Sequence, residues 1–451
     1  MNLFFRDVLR KIVEYSFLNQ ERKRAERVYK LLLTSFDVED VAGRHITFQS
    51  KNWNRIFQQS KRNSRYYRRL FKDHKIATAK DFYRIPFLDK NTIKLNTKLF
   101  ANNTGSKFQS FKFNTGGSTG IPLEFVASRE AGLVDRVHQR FLFKSNGFKA
   151  GDRIVAFDGT VIPRKLRENN VFWIKKAIHQ IPYGSIHFSS HYYNTKNRGQ
   201  YVRRFMQVKP EFIRGYPSFI SIFVDHLSTR NIKVNFVKGV HLTAENIYDW
   251  QVSKIERVLN CKVVRQYGHS EMAVYGFSRP GENSYYCSPY YGITEVINES
   301  GRHVEVGEIG EVAVTGLHNI FMPLIRYKTG DMAVYGGEKN GFVILEKLLG
   351  RTQDFIINKR NEAIPVTGIV FGQHFKSFSN IRKWQIQQKI PGVIDVFIIP
   401  GELFSESDQE DIKSRFSEVE GIKANIILTK ELQLTDRGKH QFVVNELMPK
   451  S

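Results

Sequence analysis

Short apolar runs that alternate with helix-like stretches fill the middle of this 451-residue chain. The apolar runs span residues 154–157, 212–214, 238–242 and 262–265. Residues 219–227 and 247–259 have the spacing of amphipathic helices and lie between these runs. Apolar strands separated by helices are typical of a parallel sheet that is covered on both faces. The sequence therefore predicts an α/β fold with a largely parallel sheet.

The pattern changes twice after this region. Residues 291–298, 310–315 and 342–346 have the pattern of strands joined by glycine turns. After Gly350 comes a segment of roughly a hundred residues. It holds a predicted strand at 393–399 and a predicted helix near 408–419. We therefore predict a large domain of residues 1–349 and a small α+β domain of residues 350–451.

The charge balance favours anionic partners. The chain has 69 Lys+Arg and 44 Asp+Glu, a net charge of +25, and an isoelectric point near 9.8. Such a field attracts nucleotides, nucleic acid, anionic lipid or an acidic glycan without choosing between them. Zinc-finger spacing and RNA-recognition signatures are absent from the sequence. We therefore expect no specific nucleic-acid partner.

Cysteine usage and hydropathy indicate a reducing compartment. Cys261 and Cys287 are too few for a disulfide framework and are typical of core thiols. The sequence shows neither a secretory signal pattern nor a long uncharged apolar run. The expected location is cytoplasmic, at the inner face of the membrane if the substrate is lipid-linked.

The first 33 residues have helical spacing, with apolar residues on one side and basic residues on another. One interpretation is a basic helix that makes peripheral contact with an anionic membrane. The other is a helix docked on its own domain with a solvated basic face, and this second interpretation is favoured because charged faces are common on surface helices.

The most informative segment combines glycines and hydroxyls. It consists of Thr115, Gly116, Gly117, Ser118, Thr119 and Gly120. Glycine lets the backbone approach a phosphate closely, and exposed N–H groups in such a loop can bind an anion. The spacing is not that of a Walker A loop, because no Gly-Lys-Ser/Thr follows. Taken alone, the segment is equally typical of a hydroxyl-rich hairpin turn.

A second segment follows the predicted strand at 262–265. It consists of Gln266, Tyr267, Gly268, His269, Ser270 and Glu271. The end of a strand is where α/β folds bind ligands. The Tyr267 ring can lie against a base, and the Glu271 carboxylate can hold Mg²⁺. Taken singly, Tyr267 is also typical of a half-buried strand end and Glu271 of a first helical turn.

Three further segments carry polar residues beside glycines. Asp331 follows Gly330 and can accept hydrogen bonds from ribose hydroxyls, although Gly-Asp is also an ordinary turn. Arg351 follows Gly350 at the predicted domain boundary. Lys439 follows a glycine near the end of the sequence, where a lysine is usually only solvated.

These five segments, in this order and at these separations, resemble the adenylate-forming superfamily of acyl-CoA synthetases, peptide-synthetase adenylation domains and luciferases. Within it they resemble the phenylacetate–CoA ligase-like branch, above all its capsular polysaccharide biosynthesis subgroup. The similarity extends from about Trp53 to Lys439 and includes Ala244 and Glu245. It implies a large adenylate-forming domain and a small mobile C-terminal domain.

The resemblance implies a role for each segment. The loop from Thr115 to Gly120 would cover the β- and γ-phosphates of ATP. Ala244, Glu245 and Tyr267 would flank the adenine, with Gly268, His269 and Ser270 beside them. Glu271 would hold Mg²⁺, and Asp331 would bind the ribose with Arg351 nearby. Lys439 would neutralise the α-phosphate and the carboxylate, and would leave when the C-terminal domain rotates.

Two departures from the family pattern bear on the second half-reaction. The hinge position two residues after Arg351 is usually acidic, but here it is Gln353. The family's Arg-Gly further on is replaced by Arg360-Asn361, which makes coenzyme A less secure as the acceptor. Some members of the branch carry a Cys/His zinc cluster, and Cys287 has no second cysteine nearby to complete one.

The leading hypothesis is an ATP- and Mg²⁺-dependent ligase that converts a small-molecule or glycan-linked carboxylate to an acyl-adenylate. The acyl group would pass to coenzyme A or to an amine, in surface polysaccharide assembly. One alternative is a catabolic aryl- or acyl-CoA ligase. Another is a non-catalytic basic binding protein on the same fold, and the reactive side chains retained in all five segments count against it.

Overall fold

The computed structural model describes most of the chain. It covers residues 3–35, 42–100, 110–114, 124–176, 184–351, 355–361, 363–366, 380–417, 419–434 and 441–447. Four described α-helices precede the first described strand: α1 (Leu3–Thr34), α2 (Ala42–Asn63), α3 (Arg65–Asp73) and α4 (Lys90–Phe100). Ser64 begins α3 because its hydroxyl accepts a hydrogen bond from the backbone N–H of Tyr67.

Helix α1 docks on the protein itself along the part whose side chains are described. Val28 and Leu32 of α1 are buried in one cluster with Val134 and Leu142. The last two residues belong to helix α5 (Arg129–Ser145). This packing agrees with the docked-helix interpretation of the sequence.

Twelve described strands form one mixed sheet. Its first half comprises β3 (Ile154–Asp158), β4 (Trp173–Lys175), β5 (Ile186–Ser189), β6 (Phe212–Gly215), β7 (Gly239–Leu242) and β8 (Lys262–Gly268). The second half comprises β9 (Tyr275–Phe277), β10 (Tyr285–Cys287), β11 (Gly292–Ile297), β12 (Ile309–Gly316), β13 (Tyr327–Lys339) and β14 (Phe342–Arg351). The order is β11-β12-β13-β14-β10-β9-β8-β7-β6-β3-β5-β4. Strands β5, β3, β6, β7 and β8 pair parallel with their neighbours in that order. The strands from β8 through β9, β10, β14, β13 and β12 to β11 pair antiparallel, and so do β5 and β4.

The helices between the parallel strands cover one face of the sheet. They are α7 (Arg198–Val208), α8 (Pro217–Thr229) and α9 (Asp249–Leu259), whereas the short helix α6 (Arg164–Glu168) contributes no buried residue. Apolar residues of α7, α8 and α9 share one core cluster with alternate residues of the strands. Helix α5 lies on the opposite face, where Phe143 packs against Ile154 and Phe212. The sheet is therefore covered on both sides, as its apolar strands require.

The carboxyl ends of the parallel strands share one edge. At this edge Gly215 ends β6, and a Cβ atom there would lie 2.0 Å from the carbonyl oxygen of Phe157. Only glycine allows so close an approach, after which Pro217 begins α8 at once. This edge is where an α/β sheet binds ligands.

The C-terminal part has its own sheet and core. It contains β15 (Phe355–Ile357), β16 (Ala363–Pro365), β17 (Ile381–Ile390), β18 (Val393–Pro400), α10 (Glu406–Ser417), β19 (Lys423–Leu428) and β20 (Val443–Asn445). Four of the strands pair in the order β19-β18-β17-β20. Trp384, Val396, Ile412 and Phe416 belong to a separate buried cluster. The predicted α/β class with a small C-terminal α+β part is confirmed.

Both cysteines are free thiols. Burial raises the pKa of Cys287 to about 12, so this thiol stays protonated and unreactive at neutral pH. None of the helices described is both long and apolar enough to cross a bilayer.

Candidate active site

The second and third polar segments meet at the carboxyl edge of the sheet. Tyr267 lies at the end of β8, and Asp331 lies in β13. The hydroxyl of Tyr267 donates a hydrogen bond to Oδ2 of Asp331 at 2.9 Å. Tyr267 is 9% exposed, and burial together with the Asp331 charge raises its pKa well above the usual value. The phenol therefore stays protonated and acts as a donor to the carboxylate.

Asp331 is also held by its own strand. Its backbone N–H donates to Oγ1 of Thr329 at 3.0 Å, and that hydroxyl donates to the carbonyl oxygen of Val312 at 2.8 Å. Gly330 between them has a φ of +77°, which permits the local turn. Arg351 lies opposite Asp331 in the β13–β14 register. The structure thus brings the third and fourth segments together at the level of the backbone.

His269 and Glu271 occupy the loop after β8. Nδ1 of His269 lies 3.3 Å from Oε2 of Glu271, and the two side chains are 10% and 11% exposed. The His269 ring also meets the edge of Tyr327, with ring centroids 6.3 Å apart. A backbone hydrogen bond from Met272 to the carbonyl of His269 closes this turn. The loop therefore holds a nearly buried carboxylate beside the strand end.

A magnesium ion would need phosphate oxygens of a substrate as further ligands in this arrangement. In the described part of the chain no three His, Cys, Asp or Glu residues are grouped as metal ligands. Mg²⁺ is commonly held by one or two carboxylates together with phosphate oxygens and water. Glu271 supplies one such carboxylate, so the donor set suits a Mg²⁺ ion that arrives with a nucleotide.

Ala244 and Glu245 follow β7 at the same edge. Ala244 adopts a φ of +71°, which turns the chain sharply after the strand. The Glu245 carboxylate accepts hydrogen bonds from the backbone N–H and the hydroxyl of Ser218, both at 3.0 Å. Ser218 lies in the first turn of α8, where a negative charge is favoured. Glu245 therefore joins the β7 loop to the start of α8.

Two predicted elements fall outside the described residues. These are the loop Thr115, Gly116, Gly117, Ser118, Thr119 and Gly120, and the residue Lys439. The described strands on either side of the loop, β1 (Ser110–Asn114) and β2 (Glu124–Ser128), pair antiparallel with Asn114 opposite Glu124.

The C-terminal part contacts the helices beside this edge. Arg382 of β17 lies 2.9 Å from the Asp225 carboxylate of α8. The rings of Tyr248 and Phe442 meet edge to face, 5.1 Å apart. Burial lowers the pKa of Lys383, and the Glu245 charge opposes that effect. Strand β17 and Phe442, which follows Lys439 by three residues, are therefore docked near the predicted nucleotide site.

A polar pair in the parallel strands was not predicted from the sequence. Nδ1 of His187 lies 2.7 Å from Oδ2 of Asp158, and Asp158 also accepts from the backbone N–H and hydroxyl of Thr160. Burial acts to raise the Asp158 pKa, but the contacts with His187 and Thr160 lower it below the usual value. The available signal was a polar residue within each apolar strand, at positions 158 and 187.

Similarity to known proteins extends along most of the chain. No family model matches the chain. Protein CapK of Staphylococcus aureus is 22% identical over 416 residues, which cover 88% of this chain and 89% of CapK. The sequence is thus similar to that of CapK along most of both chains.

Solved structures show the same fold. A 2-hydroxyisobutyryl-CoA ligase in the postadenylation state, in complex with 2-HIB-AMP, matches with a TM-score of 0.67 at 17% identity. The match covers 88% of this chain and 89% of the ligase. The same ligase with 2-HIB-AMP and CoA in its thioesterification state gives 0.56 at 17% identity, with 90% of each chain covered. The chain therefore has the fold of this CoA ligase, which confirms the fold that the sequence resemblance implied.

Proposed function

We propose that this protein is an ATP-dependent ligase that activates a carboxylic acid as an acyl-adenylate and passes the acyl group to an acceptor. The observation that carries the proposal is the Tyr267–Asp331 pair beside Glu271, at the carboxyl edge of a sheet with the adenylate-forming fold. A buried donor, a fixed carboxylate and a separate acidic loop suit a nucleotide with its metal.

The proposed chemistry needs positioning and charge neutralisation. A carboxylate oxygen of the acid forms a bond to the α-phosphorus of ATP as the bond to pyrophosphate breaks, and no proton is transferred. Two anions must therefore be held in line against their repulsion. A Mg²⁺ ion at Glu271 would supply positive charge to the phosphates. Lys439 would supply it to the α-phosphate and the attacking carboxylate.

Nucleotide recognition is assigned to the residues at the edge. Asp331 would accept hydrogen bonds from the ribose hydroxyls, oriented by Tyr267 and Thr329. Ala244 and the backbone of Glu245 would flank the adenine, because the Glu245 carboxylate already holds Ser218. The loop from Thr115 to Gly120 would cover the β- and γ-phosphates. Arg351 would lie beside the ribose, since its backbone is opposite Asp331.

Residues 350–451 would act as a mobile domain that carries Lys439. The higher TM-score against the postadenylation state than against the thioesterification state, 0.67 against 0.56, supports an arrangement of the first kind here. The Arg382–Asp225 contact would stabilise that arrangement and break when the domain rotates.

The relatives support a proposal for the acceptor and the pathway. The ligase with bound CoA favours a thiol acceptor, and an amine acceptor remains the second candidate. Similarity to CapK supports a role in capsular or surface polysaccharide assembly. A net charge of +25 suits an acidic, glycan-linked carboxylate presented at the inner face of an anionic membrane.

The test is carboxylate-dependent release of pyrophosphate from Mg-ATP. Lys439→Ala should lower this release by about 10²–10³-fold, since one charge contact in the transition state is lost. Lys430→Ala is the matched control, because Lys430 is an exposed lysine in the same part of the chain. Full activity of Lys439→Ala would refute the catalytic role of this lysine.

A further inference from the structure

One row of residues crosses the parallel strands on the face toward α5. His187, Ala156, Arg214, His241 and Val264 are neighbours in register on β5, β3, β6, β7 and β8. The residues that precede them in β3, β6, β7 and β8 pack into the core under α7, α8 and α9. Because side chains alternate along a strand, this row faces the other way.

Helix α5 lies over this row, and one side of the helix faces it. Asp135, Gln139 and Phe143 are four residues apart and therefore share one side of the helix. The Phe143 ring stacks on the ring of His241, with centroids 3.8 Å apart. The Arg214 charge acts on Asp135 at the other end of this side. Gln139 lies between these two contacts and faces the same layer.

The residues of this polar layer are Asp135, Gln139, His187, Arg214 and His241. Three of them are deeply buried: Gln139 is 2% exposed, His187 3% and His241 0%. Oε1 of Gln139, Nε2 of His187 and both ring nitrogens of His241 have no hydrogen-bond partner within the described structure. Buried polar atoms are normally paired, so four such atoms in one layer suit a polar ligand.

The chemistry of these atoms is fixed by their surroundings. Asp158 accepts the Nδ1 proton of His187, which leaves Nε2 to pair with a ligand. Burial and the Arg214 charge lower the pKa of His241 far below its usual value, so its neutral ring has one donor and one acceptor. Gln139 adds an acceptor. Several acceptors and donors in one layer match hydroxyl groups, which can donate and accept together.

The layer lies beside the nucleotide edge. Asp135, Asp158 and Arg214 are partly exposed, whereas the histidines lie deeper. His241 precedes Ala244 by only three residues, and β7 is adjacent to β8, which ends at Tyr267 and Gly268. An acid whose carboxylate lies at the edge would place its body against this layer.

We propose that the polar layer is the acyl subsite and that the acid is a polyhydroxylated, sugar-acid type of carboxylate rather than an aryl or fatty acid. This inference rests on the proposed ligase function. An apolar acid would leave the buried polar atoms unpaired, and sites built to bind a hydroxyl reject analogues that lack it.

Matched acids test the substrate class. Glucuronate is compared with cyclohexanecarboxylate, and lactate with propionate, by pyrophosphate release from Mg-ATP. We expect the hydroxylated member of each pair to be favoured by at least about 10²-fold in kcat/KM. Equal or better use of the apolar acids, or no release with either hydroxylated acid, overturns the subsite. If release occurs with none of the four acids and ATP also fails to raise the melting temperature, the ligase proposal itself fails.

A substitution separates recognition from packing. Gln139→Leu keeps the volume and removes the unpaired oxygen, so it should leave the melting temperature unchanged or raise it. It should also lower kcat/KM for the hydroxylated acid by about tenfold, with an unchanged KM for ATP. Unchanged acid preference would overturn the role of Gln139. Gln251→Leu is the control, because Gln251 is buried but paired with the backbone of Tyr248: it should lower the melting temperature and leave acid preference intact.

Discussion

The hydroxyl of Tyr267 lies 2.9 Å from Oδ2 of Asp331, so one hydrogen bond joins residues 64 positions apart. It ties the end of β8, a strand of the parallel half of the sheet, to β13 in the antiparallel half. The predicted adenine-flanking and ribose-binding residues are therefore mechanically linked. Asp331 is held at the height of the strand ends where a nucleotide would lie.

Removing this hydrogen bond should weaken nucleotide use. Tyr267→Phe loses a bond to a charged acceptor, worth about 1.5 kcal/mol, so the KM for ATP should rise by about tenfold. The measurement is pyrophosphate release at varied ATP. Tyr83→Phe serves as control, because Tyr83 is 78% exposed and should behave as the wild type. An unchanged KM in Tyr267→Phe would argue against ribose binding by Asp331.

Glu271 should set the magnesium requirement. Glu271→Gln keeps the shape of the side chain and removes its charge, so half-saturation should need several times more Mg²⁺, with a rate about 10²-fold lower. A magnesium titration of pyrophosphate release measures both. Glu282→Gln is the matched control in a more exposed position, since the Glu282 side chain is 38% exposed. The metal assignment fails if the two variants give the same titration curve.

Much of this arrangement could be predicted from the sequence. The apolar run at 154–157 is observed as Ile154–Asp158, and the run at 262–265 as Lys262–Gly268. Buried parallel strands are continuous apolar segments, so composition alone reveals them. The order of the five polar segments then predicted the adenylate-forming fold, although each segment is weak by itself.

The polar layer could not be predicted in the same way. His187 and Asp158 are 29 residues apart and meet only because β5 lies beside β3 in one register. His241 lies within an apolar strand, where a single histidine is usually a packed core residue. The layer also needs α5 to cover this face of the sheet. Asp135, Gln139 and Phe143 share one side of that helix, but the sequence does not show that this side packs on the sheet.

A buried ion pair should hold the segment between α3 and α4 against the second half of the sheet. Arg326 lies 2.8 Å from the Glu295 carboxylate, and both side chains are 7% exposed. Arg326 also donates to the carbonyl oxygens of Tyr83 and Ile85. Glu295→Gln should lower the free energy of unfolding by about 3–5 kcal/mol, because it leaves a buried guanidinium without its counter-charge.

Urea unfolding of Glu295→Gln measures this cost. The exposed pair Arg164–Glu168, with side chains 85% and 59% exposed, provides the comparison. Glu168→Gln should leave the unfolding midpoint almost unchanged, since exposed pairs contribute little. Equal effects of the two substitutions would show that the Arg326–Glu295 pair is not structural.

Glu21 of α1 should make stability fall as the pH rises. Burial and the nearby Glu130 charge raise the pKa of Glu21 from 4.5 to about 6, against the opposing charges of Arg129, Arg24 and Arg55. Below pH 4.5 the carboxyl is protonated in both the folded and the unfolded chain, so it does not lower the free energy of unfolding. Between pH 4.5 and 6 the unfolded chain ionises first, so the folded state loses stability, fully so above pH 6.

Because solvent screens this half-buried group, the loss should be about 1 kcal/mol. Glu21→Gln removes it, so the variant should be more stable than the wild type at pH 7.5 and nearly equal to it at pH 4.5. Melting temperatures of both proteins at these two pH values measure the difference. If the difference in melting temperature between variant and wild type is the same at both pH values, the glutamine acts through packing. Only a titrating carboxyl can make this difference increase with pH.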